Sequence, residues 1–310
     1  MFDSTETLTS ATGARLAVRW TMATGRPRAI MLVMHGLAEH SGRYHAFADW
    51  LSKRGFHAYA ADHRGHGATT AIDAPPRQFA RKDGVQAVVR DWQSVRALAL
   101  SRHGALPVLI FGHSMGGLLA LNYAISHSHD MAGLCLWNCN FDVGPQEHLA
   151  RIALKAEQGL KGSDVASGLL RRATFESWRN SVSPRQTDFD WLSHDRDAVA
   201  AYIADPHCGW TATNSMAQNL LQMVMTGGRQ KSLACLPAGL PIHLLAGTAD
   251  PVTEQGGSMQ RLAEKLQHCG QKNLTLELIS GARHETLNEL PAYRDAALQS
   301  LGQWLKKATG

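Results

Sequence analysis

The sequence predicts an α/β fold: a mostly parallel central sheet with helices on both faces and a helical insertion. Three observations carry that expectation. Short, fully apolar runs alternate with segments of helical period, as in strand–helix–strand units whose strands are buried on both faces. The alternation stops near Phe141 and resumes at Pro241. The chain therefore divides into a core, residues 1–140 and 213–310, and an inserted helical cap or lid, residues 141–212. Finally, Gly112-His113-Ser114-Met115-Gly116-Gly117 stands between the apolar run 107–111 and the helix-like run 118–124. That places a serine at the apex of a strand–turn–helix, a nucleophile elbow.

Taken in order, residues 5–22 read as a β-hairpin, with Leu8, Leu16 and Val18 apolar and Ala11-Thr12-Gly13 as the turn. Residues 29–34 are a buried strand ending at His35-Gly36-Leu37, and a helix follows with Tyr44, Phe47, Trp50 and Leu51 on one face and Gly55 closing it. A strand at 56–61 runs into the glycine-rich loop Asp62–Gly67. Asp83 is placed to cap a helix carrying Val85, Val88, Val89, Trp92, Val95 and Leu98. After the elbow comes a strand at 132–137, then the insertion with amphipathic pieces around Leu149, Leu169 and Tyr202. A helix beginning near Thr213 carries Met216, Met223 and Met225; strands at 241–246 and 274–279 and a helix from Pro291 complete the pattern.

Of 310 residues, 44% are hydrophobic and 18% charged, with a net charge of +5, ordinary for a large globular core. The basic excess is dispersed, so nucleic-acid binding is not expected. Five cysteines, Cys135, Cys139, Cys208, Cys235 and Cys269, form no disulfide framework and read as reduced thiols of a cytoplasmic protein. No second ligand pair accompanies Cys135 and Cys139, so no zinc site is expected. The start of the sequence shows no basic and apolar leader, and no run suits a membrane span. Transient contact with a membrane surface stays open, as does the oligomeric state.

A serine hydroxyl is a poor nucleophile until an imidazole takes its proton. Sixteen histidines make position the deciding criterion. Active groups gather beyond the carboxyl ends of parallel strands. Two later strand ends present Asp250, in Gly247-Thr248-Ala249-Asp250-Pro251, and His284, in Gly281-Ala282-Arg283-His284-Glu285. The order serine, aspartate, histidine is that of the α/β-hydrolase triad. It assigns Ser114 as nucleophile, His284 as base then acid, and Asp250 as the orienting carboxylate. The oxyanion donors are expected from the backbone N–H groups of Met115 and of Leu37. His113 and His243 read as packing histidines, Glu254 as the competing carboxylate and residues 62–67 as a structural loop. Trp178, Trp191, Trp210 and the three methionines read as packing residues rather than as the wall of an acyl groove.

Residues 34–44 (Met-His-Gly-Leu-Ala-Glu-His-Ser-Gly-Arg-Tyr), 62–67, 112–117, 247–252 and 282–285 together resemble the monoacylglycerol lipase and lysophospholipase family of α/β-hydrolases, to which the serine aminopeptidase S33 group is related. The resemblance spans nearly the whole chain and is weakest over 141–212. It implies the α/β-hydrolase fold and hydrolysis of monoacylglycerols, lysophospholipids or simple acyl esters beneath a mobile cap, with no metal or organic cofactor. Leu37 and Met115 match the oxyanion positions; Ala38 stands where glycine is common. Acyl transfer, thioester hydrolysis and peptide hydrolysis are the alternatives for the same triad, and a binding protein on a hydrolase fold is the non-catalytic one. Epoxide hydrolysis and dehalogenation call for a carboxylate where this chain has Ser114.

Overall fold

The computed structural model describes residues 2–142, 144 and 147–309; Val143, Pro145 and Gln146, near the start of the expected insertion, lie outside the described residues, as do Met1 and Gly310. Strands β1 (Ser4–Thr9) and β2 (Arg15–Thr21) form the predicted hairpin, with Leu8 opposite Leu16. Then follow β3 (Ala29–Met34), α1 (His45–Ser52), β4 (Phe56–Ala61), α2 (Gly84–His103), β5 (Val108–His113), α3 (Met115–His127) and β6 (Gly133–Trp137). Beyond the insertion come β7 (Ile242–Gly247), α10 (Gly257–His268), β8 (Leu274–Ile279) and α11 (Pro291–Ala308).

The eight strands make one sheet in the order β1-β2-β4-β3-β5-β6-β7-β8. β1 and β2 are antiparallel to their neighbours; all pairs from β4 to β8 are parallel. β3, β4, β5, β6 and β7 are buried along their whole length, which explains their largely apolar runs. One face packs on α2, α3 and α10 through residues such as Trp92, Leu119 and Leu262. The other packs on α1 and α11 through Phe47, Phe111, Trp137 and Trp304.

Between β6 and β7 the described residues hold helices only: α4 (Glu147–Lys161), α5 (Gly168–Arg171), α6 (Ser177–Asn180), α7 (Arg196–Ala204), α8 (Asn214–Gly228) and α9 (Gln230–Leu233), with a π-turn at Arg172–Glu176. Their loops are tied to the carboxyl edge of the sheet. Tyr202 Oη and the Gly209 N–H both donate to Ala38 O, at 2.9 and 3.0 Å. The Glu285 N–H donates to Leu192 O at 2.7 Å, and the Arg283 guanidinium donates to Asp190 O at 2.7 Å. Among the described residues no helix is long and apolar enough to cross a membrane.

One local expectation changes. Asp83 occupies the N-cap position of α2, but with φ 51° and no side-chain capping bond. A capping carboxylate needs an extended backbone to reach the first-turn N–H groups, and the left-handed conformation turns it away from them.

Candidate active site

Ser114 stands between β5 and α3 with φ 54° and ψ −121°, and its N–H donates to Trp137 O at 2.9 Å. That conformation is costly for a residue with a Cβ and is held by its surroundings. The flanking glycines are required by close approach. A Cβ on Gly112 would fall onto Gly116 O and 2.7 Å from Gly117 Cα, and one on Gly116 would strike Met34 O and approach His35 O at 2.6 Å. The elbow therefore threads between the ends of β3 and β5 with no room for side chains.

His284 follows β8 and lines the same cavity as Ser114. Its Nδ1 lies 3.1 Å from both Asp250 oxygens. Asp250 is fully buried and also accepts from Asn138 Nδ2 at 3.0 Å, the Val252 N–H at 2.9 Å and Thr253 Oγ1 at 3.1 Å. Burial alone would raise the Asp250 carboxyl, but the neighbouring His284 ring and the Asn138 and Val252 donors outweigh it and hold the carboxyl below the usual range. Glu254, the competing carboxylate, faces Asn140 and Arg261 instead. Asn138 was not singled out in the sequence, although it directly follows β6 on the same carboxyl edge, where the strand-end rule points.

Leu37 and Met115 border the cavity beside Ser114. Ala38, with φ 54°, carries a left-handed conformation where a glycine would be unstrained, and its carbonyl is held by the Tyr202 and Gly209 bonds. The next residue, Glu39, was not read from the sequence as a site residue. It is 3% exposed, and accepts from the Gly36 N–H at 2.5 Å, Tyr44 Oη at 2.8 Å and Arg43 at 2.7 Å. His113, expected only to pack, lies with Nδ1 3.6 Å from Glu39 and donates from Nε2 to His284 O at 3.0 Å. Burial opposes charge on His113, and Glu39 overrides it, leaving the ring more basic than usual. Burial likewise pushes Glu39 up, and His113 and Arg43 together pull it well below the ordinary carboxylate value.

A depressed folded-state value means that Glu39 stabilises the fold fully above its unfolded pKa of about 4.5 and loses that contribution as the pH falls through the folded value. Glu39→Gln should therefore lower stability at pH 7 by about 3 kcal/mol, the usual scale for removing one partner of a buried charge cluster. Urea unfolding should show that deficit shrinking once the pH drops below 4.5.

The cavity holds about 600 Å³, a size suited to a small organic ligand. Its walls are apolar: Ala153 and Leu154 of α4, Leu170 and Phe175 around the π-turn, Leu220 and Val224 of α8. Two of the tryptophans expected only to pack, Trp178 and Trp191, line it as well, with Trp191 4.9 Å from Trp178 and 5.2 Å from the His284 ring. Trp210 packs on His66 instead, and Met216 and Met223 are core residues. His243 is a satisfied core histidine, accepting from Trp137 Nε1 at 3.0 Å.

One group of potential metal ligands occurs among the described residues, His40, Asp205 and Cys208. His40 Nδ1 accepts from the Gly42 N–H at 3.2 Å, which places the ring proton on Nε2, 2.9 Å from Asp205. Burial also pushes the Cys208 thiol up. A ligating histidine normally donates from its second nitrogen, so this arrangement is a hydrogen-bonded link between the insertion and the loop after β3. Residues 62–67 are structural too: Asp62 accepts from Arg19, Ser41 and Ala68 at 2.6–2.9 Å.

Residues 25–291 match the family model described as serine aminopeptidase, S33. The chain is 28% identical to a human monoglyceride lipase over 97% of its length and 90% of the relative's. It is 27% identical to a monoacylglycerol lipase of Mycolicibacterium smegmatis, over 87% of this chain and 85% of that one. Among solved structures, a thermostable carboxyl esterase from Bacillus coagulans superposes with a TM-score of 0.87 at 25% identity, covering both chains completely.

Proposed function

The chain belongs to the serine aminopeptidase S33 family of α/β-hydrolases, and we propose that it is a serine esterase cleaving monoacylglycerol-type esters through an acyl-enzyme. The observation that carries this reading is the strained Ser114 sharing one apolar cavity with His284, whose Nδ1 sits 3.1 Å from Asp250. Asp250 keeps the proton of His284 on Nδ1, so Nε2 is free to accept one. Ser114 Oγ gives its proton to Nε2 and attacks the ester carbonyl carbon. The carbonyl π pair moves to oxygen, where the N–H groups of Met115 and Leu37 receive it. Collapse breaks the acyl C–O bond, and the alcohol leaves with the proton from Nε2. Water, deprotonated by His284, then hydrolyses the acyl-serine. Met115 opens α3, so the helix dipole favours charge at that point.

Shape and the relatives together support the substrate class. An apolar cavity roofed by α4, the π-turn and α8 accepts one acyl chain, and the human and mycobacterial relatives are named for monoacylglycerol or monoglyceride hydrolysis. Residues 141–212 act as the cap that selects the chain, with α8 of the core completing the wall. Wild-type enzyme should hydrolyse monoacylglycerols of medium and long chain with higher kcat/KM than an aryl acetate. Val224→Trp fills the α8 wall and should cut long-chain kcat/KM by about tenfold, the cost of one to two displaced methylenes, with acetate turnover retained. Equal loss for all chain lengths would place the acyl chain elsewhere.

A further inference from the structure

A second cleft lies across Leu221 from the candidate active site, and we propose that it binds a phosphate-bearing anion. Leu221 lines both spaces. The cleft encloses about 470 Å³ between the segment preceding α2, helix α4 and helix α8. Arg81 and Lys82 enter it from the first of these, Arg151 and Lys155 from α4, and Arg229, which has a partner of its own, from just past α8; Asp83 is the one carboxylate among its lining residues. Arg81, Lys82, Arg151 and Lys155 pair with no carboxylate among the described residues; Lys161, on α4, does so with Glu157. Cations on a convex surface are simply hydrated. In a concavity they repel one another, and the walls focus their field on an incoming anion.

Two further features make this a site rather than a solvated basic face. Helix α2, 20 residues long, opens at the cleft with Gly84, and Asp83 leaves it without a side-chain cap. Its first-turn N–H groups and positive dipole end are therefore available to an anion. Independently, Asn219 on α8 lines the cleft while only 9% exposed. Its side-chain amide makes no hydrogen bond among the described residues and is not sealed in the core. It sits directly over the helix start: a Cβ on Gly84 would come 2.6 Å from Asn219 Nδ2. The amide is open to the cleft and sits where it can donate to an oxyanion lying over the start of α2. Arg81, Lys82, Arg151 and Lys155 outweigh the one carboxylate and select a multiply charged anion, and arginine forks match phosphate geometry. An occupant would bridge α4 to residues 81–84, fixing the helix whose inner face carries Ala153 and Leu154 of the catalytic cavity.

Calorimetric titration of the full chain at constant ionic strength tests this, with inorganic pyrophosphate as one probe and phosphatidylcholine vesicles, with or without phosphatidylglycerol, as the other. Arg81→Gln/Lys155→Gln and, separately, Asn219→Asp should weaken pyrophosphate binding by about tenfold or more, through lost charge-assisted bonds in one and an added carboxylate in the other. Both variants should keep wild-type turnover of a short aryl ester, which reports folding; Lys82→Gln replaces Asn219→Asp if that variant fails this control. Variant-sensitive pyrophosphate binding assigns a soluble phosphate compound. Variant-sensitive binding to anionic vesicles alone assigns a phospholipid headgroup. No binding of either probe, or equal binding by wild type and variants, overturns the proposal.

Discussion

Ser114→Ala should lower ester turnover by about 10⁴-fold or more, to the residual rate that substrate binding and oxyanion donors supply without a nucleophile. The fold should survive the change. Alanine is smaller than serine, the strain at φ 54° is already imposed by β5 and α3, and among the described residues no side-chain bond of Ser114 supports the elbow. The backbone bonds that do, Ser114 N–H to Trp137 O at 2.9 Å and Gly117 N–H to Ser114 O at 2.9 Å, are untouched. A fluorophosphonate probe followed by intact-mass measurement separates the possibilities: the wild type should gain one adduct and the variant none. A variant that keeps full turnover would remove Ser114 from the reaction, and with it the acyl-enzyme.

The sheet was legible because its middle strands are buried on both faces, so the apolar runs at 29–34, 108–111 and 242–246 could not be read as amphipathic helices. The elbow was legible because two backbone clashes demand Gly112 and Gly116, which leaves a pattern in the sequence. Glu39 and His113 left none. Their importance comes from a meeting of the β3 loop with the β5 end and with His284 O, contacts between segments far apart in the chain. Trp178 and Trp191 pack as expected, and their second place, in the cavity wall, was hidden for a related reason. An aromatic that packs an insertion against a core and one that lines a cavity under it look identical in sequence; here Trp191 does both, being 3% exposed and a cavity wall. Asp83 failed differently, because capping depends on a backbone angle that composition does not encode.

Asp250→Asn should cost about 10⁴-fold in kcat by reversing the tautomer of His284. The carboxylate is acceptor-only, and every neighbour is a donor to it: His284 Nδ1, the Asn138 amide, the Val252 N–H and the Thr253 hydroxyl. An asparagine must turn its NH₂ toward one of them. If it replaces the oxygen nearest Val252, two N–H groups face each other in a fully buried site. If it replaces the oxygen nearest Asn138, that amide cannot simply flip, because its own oxygen already accepts from Thr286 at 2.5 Å. The NH₂ therefore settles by donating to His284 Nδ1, which moves the ring proton to Nε2, the nitrogen that receives the proton of Ser114 in the proposed mechanism. Raising the pH does not restore the missing acceptor, so the loss should persist across the alkaline range. Nitrogen-15 spectra of the imidazole should show the proton on Nδ1 in the wild type and on Nε2 in the variant. An unchanged tautomer with wild-type turnover would mean that Asp250 only anchors the loop after β7.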